Sequence, residues 1–326
     1  MGQVRRILIA VLLLQGAVAL GLWYVALAIW HIRAPDVALV LALLIVLLCR
    51  AAIAANNFVL SFYHRSPTPA PLRPTAPQRV ALFVEELVAT LVNSSWTLLS
   101  RAPRAWQAPA QPGPALPPVL MVHGYGGNGA YWTQLSARLI RAGISHDAID
   151  LEPMTANIDD YAALIAGAVQ ALKQRSGAAQ VIIVGHSMGG LAARAYMRQY
   201  GQADVARLIT LGTPHHGTGL AAFGIGSNAA QMARRGRGEA GQPGAWLASL
   251  AAMEDAPRRA LMTSIFSHHD NIVAPQTSSR LEGARNIELG GVGHVALGRA
   301  RRVLDHVQRE IELARAAAAT DRQPRA

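Results

Sequence analysis

The chain of 326 residues contains a single lysine, Lys173, and a single cysteine, Cys49. One cysteine excludes an intramolecular disulfide, so cysteine usage says nothing of the redox compartment. Cys49 also lies within an apolar run, the wrong setting for a nucleophilic thiolate. Acidic residues are scarce too, 19 against 30 basic ones, and the formal net charge of +11 is carried almost wholly by arginine. Such a balance attracts nucleic acid or an anionic membrane surface. The chain lacks a basic run interleaved with aromatics, zinc-finger spacing and any RNA-binding signature, so no nucleic-acid partner is expected. The arginines are scattered, several of them flanking apolar segments, and 52% of all residues are hydrophobic. Contact with a membrane is the better reading.

Charge is wholly missing from Ile7 to Trp30, ILIAVLLLQGAVALGLWYVALAIW, where Gln15 is the one strongly polar residue. About 20 apolar residues at 1.5 Å each cross the hydrocarbon core, so this run predicts a transmembrane helix. Trp23, Tyr24 and Trp30 sit near its far end, where aromatics favour the interface. A cleaved signal peptide is the competing reading, but its apolar region spans only about 7–15 residues. A second run, residues 37–60, is interrupted by Arg50. A mid-span arginine costs roughly 2.5–3.5 kcal/mol, which the leucine and isoleucine run before it can offset. The expected anchor is therefore residues 1–65, with spans at about 7–30 and 37–60.

Arg5 and Arg6 before the first span favour a cytoplasmic N-terminus. Two spans would return the chain to the cytoplasm, in keeping with Arg65, Arg73 and Arg79 after the second; one span would leave the remainder periplasmic. The membrane implied is a bacterial inner membrane. Residues 66–117 read as proline-rich linkers, SPTPAPLRPTAPQR and APAQPGPALPP, on either side of an amphipathic helix. That helix carries Glu85 and Glu86, which argues against a third span. It is expected to lie in the membrane interface or to pack on the domain that follows.

From residue 118 to about 315 the pattern alternates between short apolar runs and helical segments. VLMV, ISHDAIDL, VIIVG, VARLITLG, LMTSIFS and ARNIELG read as strands, and a last helix is expected from about Val295. Apolar strands separated by helices predict a mostly parallel sheet covered on both faces. Functional groups then gather at the carboxyl ends of the strands. Residues 316–326 are expected to form a disordered tail.

Between a strand and a helix stands Gly185-His186-Ser187-Met188-Gly189. This G-x-S-x-G element is a candidate nucleophile elbow, because a serine on so sharp a turn leaves no room for side chains two residues away. A serine nucleophile needs a base, and the base an acid to orient it, in the chain order serine, acid, histidine. His294, in GGVGHVALG after the last strand, is the base that fits. Among the acids, Asp270 follows LMTSIFSHH at a strand's carboxyl end, whereas Asp204 precedes a strand and lies at the wrong end of the sheet. The backbone N–H groups of Met188 and of Tyr125, in HGYGGN, are expected to form the oxyanion hole.

VHGYGGN, GHSMGG, TLGTPHHGTG, SHHDNIVAPQTS and GVGHVALG together resemble bacterial triacylglycerol lipases and related esterases of the α/β-hydrolase superfamily. The resemblance covers roughly residues 118–312. It implies an α/β-hydrolase fold, here preceded by one or two transmembrane helices, with Ser187, Asp270 and His294 as catalytic triad. Some such lipases hold calcium, but no acidic cluster here recommends a site, so no metal or other cofactor is expected. Residues 213–256 form a long excursion between strands, read as a lid-like insertion. Phe223, Ile225, Trp246 and Leu247 within it are candidates to bind an acyl chain.

The function these residues imply is a membrane-anchored serine ester hydrolase acting on lipid or other apolar acyl esters. The alternatives are acyl transfer through the same triad, or a membrane scaffold without activity. The expected partners are an ester substrate and the membrane; the sequence names no protein partner.

Overall fold

The computed structural model describes residues 2–103, 105–108, 115–236 and 238–320. Three helices come first: α1 (Gln3–Ala28), α2 (Pro35–His64) and α3 (Ala76–Ser95). α1 and α2 form an antiparallel hairpin. Ala19, Ala26, Ala38 and Ala42 are buried in it, while Leu13, Leu14, Leu20, Val40 and Leu48 face outward. Small residues let two helices approach closely where lipid offers no hydrophobic drive to pack them. By length and composition, α1, α2 and the segment Ala76–Leu99 could each cross a membrane.

α3 opens with a Thr75–Gln78 capping box, an arrangement in which each side chain satisfies the other residue's backbone N–H. Leu82, Glu86 and Ala89 share a buried face of the helix. The amphipathic segment thus packs on the domain that follows, and Glu85 adds an ion pair to Arg302 at 2.8 Å. α3 runs antiparallel to α2, with the Phe58 and Phe83 rings 5.9 Å apart. Near the end of α3, Arg50 of α2 meets the hydroxyls of Ser94 and Ser95, and Gln15 of α1 at 3.4 Å. Those three acceptors explain how an arginine is tolerated inside an apolar helix.

The domain beyond holds, in chain order, β1 (Val119–Val122), α4 (Thr133–Arg141), β2 (His146–Ile149), α5 (Asp160–Ser176), β3 (Val181–His186), α6 (Met188–Tyr200) and β4 (Val205–Leu211). The excursion follows, with α7 (Ser227–Met232), a ribbon of β5 (Arg234–Arg235) and β6 (Gln242–Pro243), α8 (Ala245–Ala252) and α9 (Ala256–Ala260). β7 (Met262–Ser267), β8 (Arg285–Leu289) and α10 (Arg301–Thr320) complete it.

Six strands form one parallel sheet in the order β2-β1-β3-β4-β7-β8. Period-two alternation divides the core between its two faces. Leu120, Val122, Val181 and Ile183 pack toward α5, α6 and α8, and Val119, Met121, Ile182 and Val184 toward α4 and α10. The order reverses between β1 and β3, so the chain leaves their carboxyl ends in opposite directions and opens a crevice there.

Two boundaries differ from expectation. α2 extends over Pro35–His64 rather than 37–60, with Pro35 at its first turn, where a missing N–H costs nothing. The last helix runs to Thr320, so residues 316–320 are helical rather than part of a disordered tail. Alanines at 316–319 favour that continuation, and Arg315 donates to the Pro117 carbonyl at 2.6 Å. Residues 321–326 of the expected tail, and 109–114 of the second proline-rich linker, lie outside the described residues.

Candidate active site

β3 ends at His186, and Ser187 turns the chain into α6 with φ 54° and ψ −127°. A serine at positive φ is strained by about 1–3 kcal/mol, which the surrounding structure must offset. Its N–H donates to the Leu211 carbonyl at 2.8 Å, and its own carbonyl accepts from Thr213 Oγ1 at 2.9 Å. The glycines are required by space. A Cβ at Gly185 would lie 2.7 Å from the Gly190 backbone, and one at Gly189 would collide with the carbonyls of Val122 and His123. Such closeness holds the turn where Ser187, 7% exposed, stands at the carboxyl end of β3.

Asp270 leaves β7 three residues beyond its end and is 2% exposed. One carboxylate oxygen accepts from the N–H groups of Ile272 and Val273 at 2.8 and 2.7 Å. The other accepts from His294 Nδ1 at 2.7 Å. That bond makes Nδ1 the donor and leaves Nε2 as the free base nitrogen of a neutral ring. Burial by itself would lower the His294 pKa. The charge and hydrogen bond of Asp270, with the charge of Glu86, outweigh burial and hold it above its ordinary 6.5.

Three further residues fix the loop that carries His294. Asn271 Oδ1 accepts from the His294 N–H at 2.9 Å. The Glu86 carboxylate, arriving from α3, accepts from the next two N–H groups, Val295 at 3.0 Å and Ala296 at 2.9 Å. His186 Nε2 lies 3.1 Å from the His294 carbonyl, and the two rings are 4.6 Å apart. His186 also stacks on Tyr131 at 4.4 Å. Burial, then the neighbouring imidazole, press its pKa well below the usual histidine value. It is a neutral bridge between the elbow and the histidine loop.

On the other side of the serine, the loop after β1 is shaped by His123. Its Nδ1 donates to the Gly124 carbonyl at 2.8 Å, and its Nε2 accepts from the Leu151 N–H at 2.9 Å. Burial lowers its pKa. Gly124 comes so close that a Cβ there would lie 2.8 Å from Ser187 Cβ. The next residue, Tyr125, lines a cavity with Ser187, and Met188 begins α6 directly after the serine.

That cavity, of about 330 Å³, is the apolar space against the serine. Of the acyl-binding candidates, Phe223 lines it. Ile225 is 74% exposed at the tip of the excursion, its backbone held on both sides by the Tyr125 hydroxyl at 2.9 and 3.0 Å. Trp246 and Leu247 lie elsewhere. Trp246 donates to Asp159 at 2.8 Å, and Leu247 is 1% exposed in the core beside α6. α8 packs against α6 and α7 with Leu247 and Leu250 inward, leaving α7 and the Gly219–Phe223 turn to meet the cavity. The wall that sequence reading missed comes from the anchor: Asn57 and Leu60 of α2.

Residues 117–245 match the family model described as the alpha/beta hydrolase fold. The mature form of Bacillus licheniformis lipase BlEst2 is similar in structure, with a TM-score of 0.54 and 21% identity over 65% of this chain and 99% of that one. Its propeptide form gives a TM-score of 0.54 and 21% identity over 64% of this chain and 52% of that chain. The domain that follows the three helices thus has the α/β-hydrolase fold, and those helices are long and apolar enough to cross a membrane.

Proposed function

We propose that this protein is a membrane-anchored serine ester hydrolase that cleaves lipid or other apolar acyl esters through an acyl-enzyme. The observation that carries the reading is the 2.7 Å bond between Asp270 and His294, in a loop tied through His186 to the strained turn at Ser187.

In this reading His294 Nε2 takes the Ser187 hydroxyl proton as Oγ attacks the ester carbonyl carbon. The oxyanion that forms is held by the N–H groups of Tyr125 and Met188, the latter at the start of α6, where free donors point outward. On collapse the bond to the alcohol oxygen breaks, and His294 returns the proton to that leaving group. Water then attacks the acyl-serine by the same route in reverse, releasing the acid and restoring Oγ–H. Asp270 stays ionised and stabilises the imidazolium.

Two spans would put the hydrolase domain on the side of the N-terminus. In support, both ends of the hairpin touch that domain: Gln3 accepts from the Met154 N–H at 2.9 Å, and Gly219 packs against the His64 ring. Arg5, Arg6, Arg65, Arg73 and Arg79 all lie at those ends, which makes that side cytoplasmic by the positive-inside rule.

The test is hydrolysis of an ester series of increasing chain length, with fluorophosphonate labelling, by the purified protein and its Ser187→Ala variant. Labelling should vanish and kcat fall by about 10⁵-fold or more in the variant. Labelling that persists would refute Ser187 as nucleophile.

A further inference from the structure

We infer that the anchor does more than tether: α2 forms one wall of the acyl pocket, and the pocket opens sideways to the bilayer, so that the substrate is a lipid ester already resident in the membrane. The inference rests on the ester-hydrolase reading above.

Three observations converge at the pocket. Asn57 and Leu60, one helical turn apart on α2, line the same cavity as Ser187. The rest of its lining is largely apolar, including Leu220, Phe223, Met232 and Val273. Such a lining suits an alkyl chain, whose methylenes gain by leaving water. The Gly219–Phe223 turn, which meets α2, carries Phe223, and Ile225 follows it; the two are 68% and 74% exposed. Two large apolar side chains so exposed beside a pocket mark a surface that meets lipid.

The length of the hairpin sets the depth. Beyond the Arg50, Gln15 and Ser94 cluster, α2 has only residues 35–49. At 1.5 Å per residue these reach about 22 Å, short of the roughly 30 Å of a hydrocarbon core. The ~20 residues needed, counted from Pro35, end at Ala54, one turn before Asn57. On the outward side of α2, Ile53 at 66% and Val59 at 52% are exposed, with Asn56 exposed between them just past Ala54. On α3, Val80, Val84 and Val88 make a second exposed stripe at i, i+4, i+8. The hydrocarbon slab therefore comes down to the level of the pocket wall. An acyl chain can pass from it between Leu60 and Phe223 without crossing water, and the carbonyl carbon then meets Ser187 near the headgroup region.

The deciding experiment uses the intact protein in phospholipid vesicles and an alkyl fluorophosphonate whose chain ends in a diazirine. Reaction at Ser187 fixes one end of the probe, and light then records where the chain lies. Crosslinks to the α2 peptide around Asn57 and Leu60, together with Phe223, are expected. Crosslinks found only on domain residues such as Met232 and Val273 would overturn the inference. Failure of the probe to label Ser187 at all would instead count against the ester-hydrolase reading. As a second arm, Leu60→Trp should lower the ratio of kcat/KM for a twelve-carbon p-nitrophenyl ester over the two-carbon ester by roughly tenfold or more, the scale of a few lost methylene contacts. Ile53→Trp, on the outward side of the helix, should leave that ratio as it was. Equal ratios in all three proteins would refute α2 as a wall.

Discussion

His294 is the residue whose chemistry can be read most directly from its neighbours. Asp270 and Glu86 hold its pKa above 6.5 against the pull of burial. As the proposed general base, His294 must be neutral, so kcat/KM should fall as pH drops through a midpoint above 6.5. The folding linkage runs the other way: the pair's stabilisation is complete below the unfolded-state pKa and is lost as pH rises through the folded one. Asp270→Asn removes the charge and misdirects the tautomer. It should lower kcat by about 10⁴-fold and move the acid limb downward, which a pH–rate profile of the purified variant would check. A limb that stays in place would mean another group titrates. At this scale the sequence was most legible, because the elbow needs glycine at 185 and 189 for reasons of space. Asn271, which orients the His294 backbone, gave no signal, since an asparagine after an aspartate reads as an ordinary turn.

Among the elements, α3 carries the largest surprise. In the sequence its glutamates argue only against crossing a membrane. In the fold Glu86 accepts two N–H groups directly after His294, the proposed base, so a helix next to the α1–α2 hairpin positions a loop more than 200 residues away. Glu86→Ala should leave those two buried donors unpaired and let the imidazole drift, lowering kcat by roughly 10–100-fold. Glu86→Gln keeps an acceptor but loses the charge. It should recover much of the rate while lowering the acid limb of the pH profile. A purely structural role would leave the limb unmoved in both variants. The excursion, expected to be a lid-like insertion, has residues that divide in a way that spacing cannot show. Phe223 meets the cavity, whereas Leu247 belongs to the core.

For the molecule as a whole, the hairpin and the hydrolase domain make a single prediction about sidedness. With both ends of the hairpin against the domain, the proposed two-span arrangement puts its turn, residues 29–34, at the opposite membrane face. In a Cys49→Ala background, Arg33→Cys should react with an impermeant maleimide only from the side opposite to the one where protease reaches the hydrolase domain in sealed vesicles. Reaction from the same side would exclude the two-span arrangement. The arginines agree with this geometry. Arg65, Arg73 and Arg79 line one cleft of about 840 Å³ between α2, α3 and the domain, at the end of the hairpin where a cytoplasmic surface would lie.

Sequence by itself determined whatever is local or periodic: the apolar runs that make α1 and α2, the alternation that makes a parallel sheet, and the strand–G-x-S-x-G–helix turn whose backbone admits only glycine at its flanks. Those constraints act within a few residues and leave their mark in the order of residue types. Tertiary structure alone decided which distant side chains meet. The contacts of Glu86 with the His294 loop, and of Asn57 and Leu60 with the cavity at Ser187, depend on how three helices dock against a sheet. Docking is set by the shapes of two buried surfaces at once, and no short stretch of the chain contains both.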